Sequence, residues 1–365
     1  MNAPTADAPT APAVPRPVTV PGRVLRLRGE RLSLRWRPRT LTVCLLLAVC
    51  CLALGALSLT TGAFRLPLPR VLATLLGQGS GAEEFIVLDL RLPRLLCAVL
   101  AGGALGMSGA VFQSLSRNPL GSPDVIGFTS GAATGAVVQI VVLHGGAYAT
   151  AVAAVAGGLL TALVVGTVAA GRGPSLGYRV VLVGIGVSAM LTSLTAYLLT
   201  RASLYEAQDA QLWLIGSLNS TTWSLVTPLA LALAVLTPVT VGAARTLGWL
   251  ELGEDTARGL GVPVGGTRLL LALAATALAA AATAAVGPIT FVALAAPQLC
   301  RRLVRSPGAL VVPAAFMGAL LLSASDFAAQ RVLPSTELPV GAMTGVLGGL
   351  YLCRLLVTRR RTPGT

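Results

Sequence analysis

Ten stretches of this chain, each about twenty residues long, carry almost no charged side chain. They fall at roughly 41–61, 92–112, 124–143, 147–169, 179–200, 224–244, 268–286, 289–304, 309–327 and 339–357. About 20 apolar residues in a helix cover the ~30 Å hydrocarbon core of a bilayer. A single soluble domain is excluded, because charged residues make up 11% of the chain, against roughly 25% in soluble proteins. The expected fold class is an all-α membrane protein, a polytopic bundle of about ten transmembrane helices in the lipid bilayer. The 289–304 stretch is short and follows Gly287-Pro288, so it reads as a broken or half-length helix.

Flanking segments complete the organisation. Residues 1–40, rich in Ala, Pro and Arg, read as a disordered cytoplasmic tail, since they hold too little apolar surface for a core. Residues 41–357 form the transmembrane domain, and 358–365 a short basic tail. The segment before residue 41 is too long for a signal-peptide n-region. Leu47-Ala48-Val49-Cys50 is not read as a lipoprotein cleavage box, because Val precedes the Cys and a long Arg-rich tail precedes both.

All 27 basic residues are arginine, with 13 acids and a formal net charge of +14. Without lysine there is no Walker A loop and no Schiff-base lysine. The charge is read first as topology, not as a nucleic-acid surface. With an even helix count and both termini cytoplasmic, only Arg65, Arg70, Arg91, Arg94, Arg201 and Arg331 of the 27 lie outside. Adding or removing one helix would scramble that asymmetry. The single histidine, His144, and the cysteines Cys44, Cys50, Cys51, Cys97, Cys300 and Cys353 show no metal-ligand spacing, so no metal is expected. Glycines repeat every four residues at 102/106, 127/131/135 and 341/345/349, a spacing that lets helix backbones touch.

Four segments are too unusual for membrane filler. Arg91-Leu-Pro-Arg94 opens the second helix at its outer end. Gln113, Arg117-Asn118-Pro119-Leu120, Pro123 and Gly127 stop a helix and turn the chain straight back. Leu252-Gly253-Glu254-Asp-Thr256-Ala257-Arg-Gly-Leu260-Gly261 reads as a short amphipathic helix on an inside loop, with Leu252, Thr256, Ala257 and Leu260 on one side. Gly287-Pro288-Ile-Thr-Phe291 runs on through Pro297 to Arg301, and is paired with Glu337-Leu-Pro339-Val-Gly341.

At these residues, over about 85–355, the sequence resembles the FecCD-type permeases. These are the membrane subunits of type II ABC importers for iron-siderophores, haem and cobalamin. Any one motif is weak, but the ordered set is specific. Ala293, Gln298 and Leu350 stand where that family commonly has Gly, His and Pro.

The resemblance implies ten transmembrane helices with both termini cytoplasmic, in the cytoplasmic membrane. It implies a permease dimer, a separate cytoplasmic ABC ATPase dimer that binds ATP and Mg, and an extracytoplasmic substrate-binding protein; this chain itself would be neither an enzyme nor a cofactor binder. Leu252, Gly253, Glu254, Ala257, Leu260 and Gly261 would form the ATPase coupling loop; the plain alternative is an ordinary connector. Arg91, Arg94 and Arg331 would dock the binding protein; the alternative is arginines snorkelling at the interface. Ser188, Thr192, Ser193 and Thr195 of the fifth helix would line the pathway, or else only bond across helices. The cargo expected is a ferric siderophore, with cobalamin or haem as the alternative. An ion-coupled secondary transporter is the competitor from another class, but Asp89, Asp124, Asp326 and Glu337 all fall near helix ends and not mid-membrane.

Overall fold

The structure is a computed structural model that describes residues 23–27, 32–36, 38–169, 176–306, 308–332 and 338–360. Glu337, Arg172 and the first 22 residues lie outside the described residues. Within the tail, β1 (Arg23–Leu27) and β2 (Leu32–Trp36) pair antiparallel, with Arg23 opposite Trp36 and Leu25 opposite Leu34. The alternating Arg-Val-Leu-Arg-Leu and Leu-Ser-Leu-Arg-Trp patterns suit a two-faced ribbon. This pairing is local order in a segment whose composition alone offers no core.

The remaining described chain is helical. In order come α1 (Pro38–Thr60), α2 (Leu68–Leu75), α3 (Gly81–Glu84), α4 (Leu92–Ser116), α5 (Phe128–Val141), α6 (Ala147–Ala169), α7 (Leu176–Arg201) and α8 (Leu204–Ile215). Then follow α9 (Trp223–Gly242), α10 (Ala244–Glu251), α11 (Glu254–Gly259), α12 (Val264–Val286), α13 (Val292–Val304), α14 (Val311–Ala329) and α15 (Val340–Arg360). Every one of the ten apolar stretches holds a helix, but seven helices among the described residues are long and apolar enough to cross a membrane. The shortfall has local causes. α5 has 14 residues, about 21 Å at 1.5 Å each. It starts only after a 3-10 turn (Pro123–Ile126) and Gly127 at φ +83°. α13 has 13 residues, because Gly287 (φ +74°) and Phe291 (φ +67°) hold the chain out of a helix until Val292. The apolar part of α15 covers only Val340–Tyr351, too short to count as a span by itself.

α4 is the hub. Every residue from Ala101 to Ser114 is buried, so this helix is covered on all sides, as a central element must be. It packs against α14, α12, α13 and α9. Close approach needs glycine: a Cβ on Gly106 would overlap the Ala314 carbonyl of α14, and one on Gly109 the Ala293 carbonyl of α13. Ala293 lies four residues before Pro297, which has no N–H to return to it. The proline thus frees the carbonyl that Gly109 accommodates. Gly131 and Gly135 likewise seat α5 on α6, whereas Gly345 and Gly349 touch no other helix backbone among the described residues.

Candidate translocation path and docking surfaces

At the end of the bundle where α4 begins, the chain enters through a π-helical stretch, Phe85–Arg91. The Leu92 N–H bonds the Val87 carbonyl, and Pro93 has no N–H, so the Leu88 carbonyl lacks a donor from its own helix. The Trp223 indole N–H at the start of α9 fills the vacancy at 2.9 Å. Trp223→Phe keeps the ring and removes the donor. It is expected to destabilise the protein by about 0.5–1.5 kcal/mol, the net worth of one hydrogen bond at an exposed site, read as a lower thermal midpoint in detergent.

The three arginines expected to face a partner are all engaged within the chain. Arg91 donates to the carbonyls of Leu59, at 2.6 Å, and Phe64, tying α1 to the π-helical stretch. Arg94 forms a fork with Asp326 of α14: Nε lies 3.1 and 3.2 Å from the two carboxylate oxygens, and Nη2 is 3.0 Å from Oδ1. Both side chains are largely shielded, 16% and 5% exposed. Asn219 Oδ1 accepts from Arg94 Nη2 at 3.0 Å, and Gln330 Nε2 donates to Asp326 Oδ2 at 2.7 Å. Arg331 donates to the Phe327 carbonyl at 3.0 Å and to the Thr61 hydroxyl, and its guanidinium stacks 3.6 Å from the Phe327 ring. Arg331 is exposed and Arg91 half-buried. The Asp326 and Asn219 partners were not legible in sequence; an acid near a helix end gave the only hint.

At the opposite end of α4, the motif residues build one tight turn. Arg117 closes the helix at φ +49°. Asn118 Oδ1 accepts from the Leu120 N–H at 2.9 Å, and the Pro119 carbonyl accepts from Gln298 Nε2 at 2.7 Å. Gln113 Nε2 donates to the Leu294 carbonyl at 3.0 Å. Pro123 opens the 3-10 turn, and Asp124 accepts from the Thr129 hydroxyl at the head of α5. Gln298 and Gln113 thus dock the turn on α13.

The loop expected to couple to an ATPase forms α11, set off by Gly253 (φ +116°) and Gly261 (φ +80°). Glu254 pairs with Arg268 of α12 at 2.9 Å and Arg258 at 3.2 Å; Asp255 pairs with Arg258 at 3.1 Å. The sides differ from the sequence reading. Ala257 is fully buried against the bundle, while Leu252 (66% exposed) and Leu260 (55%) point away from it. The outward apolar surface is therefore the two flanking leucines.

Three glycines from distant segments meet where α8 ends. Gly341 N–H donates to the Gly216 carbonyl at 3.1 Å, and Ser217 N–H to the Val286 carbonyl at 3.0 Å. A Cβ on Gly287 would lie 2.8 Å from the Trp213 carbonyl, and one on Gly216 2.6 Å from that of Pro288. Beside this crossing is a cavity of about 430 Å³, walled by Thr129, Ser130, Thr192, Thr195, Ile215 and Thr290 among others, with no ionisable side chain in its lining. Thr195 and Thr134 hydroxyls are 2.9 Å apart, bridging α7 and α5. Of the four hydroxyls named for the pathway, Thr192 and Thr195 line this cavity. Ser193 bonds back to the Ala189 carbonyl at 2.9 Å, and Ser188 sits beside Gly127.

α8 reaches the cavity wall with its last residues, Leu214 and Ile215, and starts with a capping box: Ser203 N–H donates to Glu206 Oε2 at 2.9 Å, and Glu206 N–H to Ser203 Oγ at 3.4 Å. His144 Nδ1 lies 3.0 Å from Glu206 Oε1. The Ser203 backbone N–H first, then its hydroxyl and His144, hold the Glu206 carboxyl below the usual carboxylate range. A depressed folded value means that the cap is fully present above the unfolded value, ~4.3, and is lost as pH falls through the lower folded value. Hydrogen-exchange protection of the α8 amides, corrected for intrinsic rate, is expected to drop on acidification, and Glu206→Gln should flatten that response.

Comparison with known proteins agrees with this architecture. Residues 47–358 match the FecCD transport family. The chain is 44% identical over 323 residues to the ferric enterobactin transport system permease protein FepG of Escherichia coli (strain K12), covering 88% of this chain and 98% of that protein. It is 37% identical over 320 residues to the permease protein FepD of the same system, covering 85% and 92%. A solved metal-chelate type ABC transporter in an inward-facing conformation superposes with a TM-score of 0.78 at 25% identity, over 87% of this chain and 99% of that one. The chain, a multi-pass membrane protein, therefore belongs to the FecCD transport family.

Proposed function

We propose that this chain is one permease subunit of an ATP-driven importer that moves a ferric siderophore across the cytoplasmic membrane by alternating access. The observation that carries the reading is the uncharged, hydroxyl-lined cavity at the end of α8, beside the glycine crossing. Hydroxyls and apolar walls let a bulky, polar chelate pass without a deep ionic trap, and an ion-coupled carrier would need an intramembrane acid or histidine there. FepG and FepD carry the name of one ferric enterobactin system, which supports two permeases acting as a pair. The cavity is then one wall of a path that a second subunit completes.

In this reading ten helices span the membrane, with α5, α13 and α15 reaching across together with the turns that flank them, and both termini cytoplasmic. α11 with Leu252 and Leu260 meets a cytoplasmic ATPase dimer, which supplies the ATP and Mg site that this chain, lacking lysine, does not build. Arg91 and Arg331 lie at the outer rim to meet acids of a binding protein. Arg94 serves that surface by holding Asp326. The test is uptake of radiolabelled iron by cells lacking the gene. Restored ferric siderophore uptake by the wild-type gene, abolished when the ATPase gene is removed, is expected. Restoration of cobalamin or haem uptake instead would overturn the cargo, and uptake persisting without the ATPase would overturn the class.

A further inference from the structure

A second cavity, of about 520 Å³, lies at the other end of α4, and the proposed function does not use it. Its walls come from the ends of α4 and α13, the turns that follow them, and the end of α10. Three guanidiniums surround it: Arg117, Arg301 and Arg305. Among the described residues none of the three makes a side-chain hydrogen bond or ion pair, although the chain pairs Arg70, Arg94, Arg258 and Arg268 with acids elsewhere. Glu251, at the end of α10, is the one acid on the wall. Three positive charges against one negative leave a surplus that matches a dianion.

Two further observations point the same way. Gln113 (1% exposed) and Ser114 (2% exposed) form the inner wall, and both hold an unsatisfied atom, Gln113 Oε1 and Ser114 Oγ. Buried polar atoms without partners are uncommon and each asks for a ligand or a reason. Ser114 offers a donor and Gln113 an acceptor. These two atoms lie buried behind the arginines, and the tetrahedral oxygens of a phosphate group suit the guanidinium forks that face the cavity. In addition, Arg117 and Arg305 each end a helix in the left-handed region, φ +49° and +47°, where glycine is the usual occupant. Preference for the helix C-terminal dipole explains a cation in a last turn, but not three of them unpaired around one cavity with two orphaned polar atoms behind.

We infer that this cavity is a phosphate-group site, formed by Arg117, Arg301 and Arg305 with Ser114 and Gln113 behind them. Two sources share this chemistry: free inorganic phosphate and the headgroup of an anionic phospholipid, for which basic clefts between membrane helices are suited. The site adjoins Leu252 through Glu251, so occupancy would stiffen the base of the coupling loop. The inference holds whatever the cargo, and its test does not involve transport.

The test is thermal unfolding of the full-length protein with two probes. In zwitterionic detergent, potassium phosphate is compared with potassium chloride at matched ionic strength. In nanodiscs without phosphate, phosphatidylglycerol is compared with phosphatidylcholine. A ligand bound only to the folded state raises the midpoint. The wild type is expected to gain stability from at least one probe, and the probe that acts identifies the source. The Arg117→Gln, Arg301→Gln, Arg305→Gln triple variant should lose the gain. Arg305→Gln alone, at an exposed position, should weaken binding by about tenfold, the equivalent of 1.4 kcal/mol, and guards against a triple variant that does not fold. Neither probe acting, or equal gains in wild type and Arg305→Gln, overturns the site. So does a midpoint that responds only to the ATPase, which would assign the arginines to a subunit interface.

Discussion

Asp326→Ala is expected to lower the stability of the folded protein by about 3–5 kcal/mol, because it removes a carboxylate partner from a guanidinium that the fold has largely taken out of water. Arg94 cannot shed its proton, and its side chain is 16% exposed, so the guanidinium would keep most of its desolvation cost while losing the Asp326 carboxylate that binds it as a fork. The loss extends beyond the pair. Asn219 and Gln330 are oriented by the same two residues, so the 217–222 connection and the end of α14 would loosen together. Arg94→Ala should be as damaging, and the double Arg94→Leu, Asp326→Leu protein should recover much of the loss, since it removes both charges. Thermal midpoint and yield of the purified protein check all three. Asp326→Ala behaving like wild type would mean that the Asp326 fork contributes little to holding Arg94.

The second large effect concerns α11. Leu252→Asp together with Leu260→Asp is expected to weaken association with the ATPase by at least about a hundredfold, near 2.7 kcal/mol, while leaving the thermal midpoint of the permease almost unchanged. Both leucines are exposed in the isolated chain, so their replacement removes no internal packing. Ala257→Trp would be a poor probe, because Ala257 is fully buried and a larger side chain there would disturb the seat of α11 itself. Glu254→Gln offers the contrast: it loosens the tether to Arg268, so a moderate fall in stability should accompany any fall in association. Pull-down yield and unfolding midpoint, measured on the same preparations, separate contact from support.

What could be read in advance followed the range of the interaction. Each of the ten apolar runs contains a helix, since hydrophobic length is a property of contiguous residues, but seven helices among the described residues are long and apolar enough to span. The Arg117–Gly127 turn was legible because Asn118, Pro119, Pro123 and Gly127 act on their own backbone. Helix length was less so: whether α5 and α13 are full spans depends on the φ angles of Gly127, Gly287 and Phe291, which composition does not set. Facing is not legible at α11, where a helix of 6 residues is too short for its periodicity to decide which side meets the bundle. The Arg94–Asp326 pair joins residues 232 apart, and no local pattern announces it. Arg91, Arg94 and Arg331 stand out in the sequence by breaking the expected charge bias, but what they touch inside the chain is set by the fold.

The crossing of Gly216, Gly287 and Gly341 has a consequence for how this chain tolerates change. The contacts there are made by main-chain atoms, through Gly341 N–H to the Gly216 carbonyl and Ser217 N–H to the Val286 carbonyl. No side-chain chemistry is available to be conserved or swapped. In a saturation scan these three positions should fail for every amino acid alike, alanine included, whereas Thr192 or Thr195 should accept serine and reject charge. A flat penalty, blind to residue character, would mark the joint about which the subunit turns; a graded one would mark its lining.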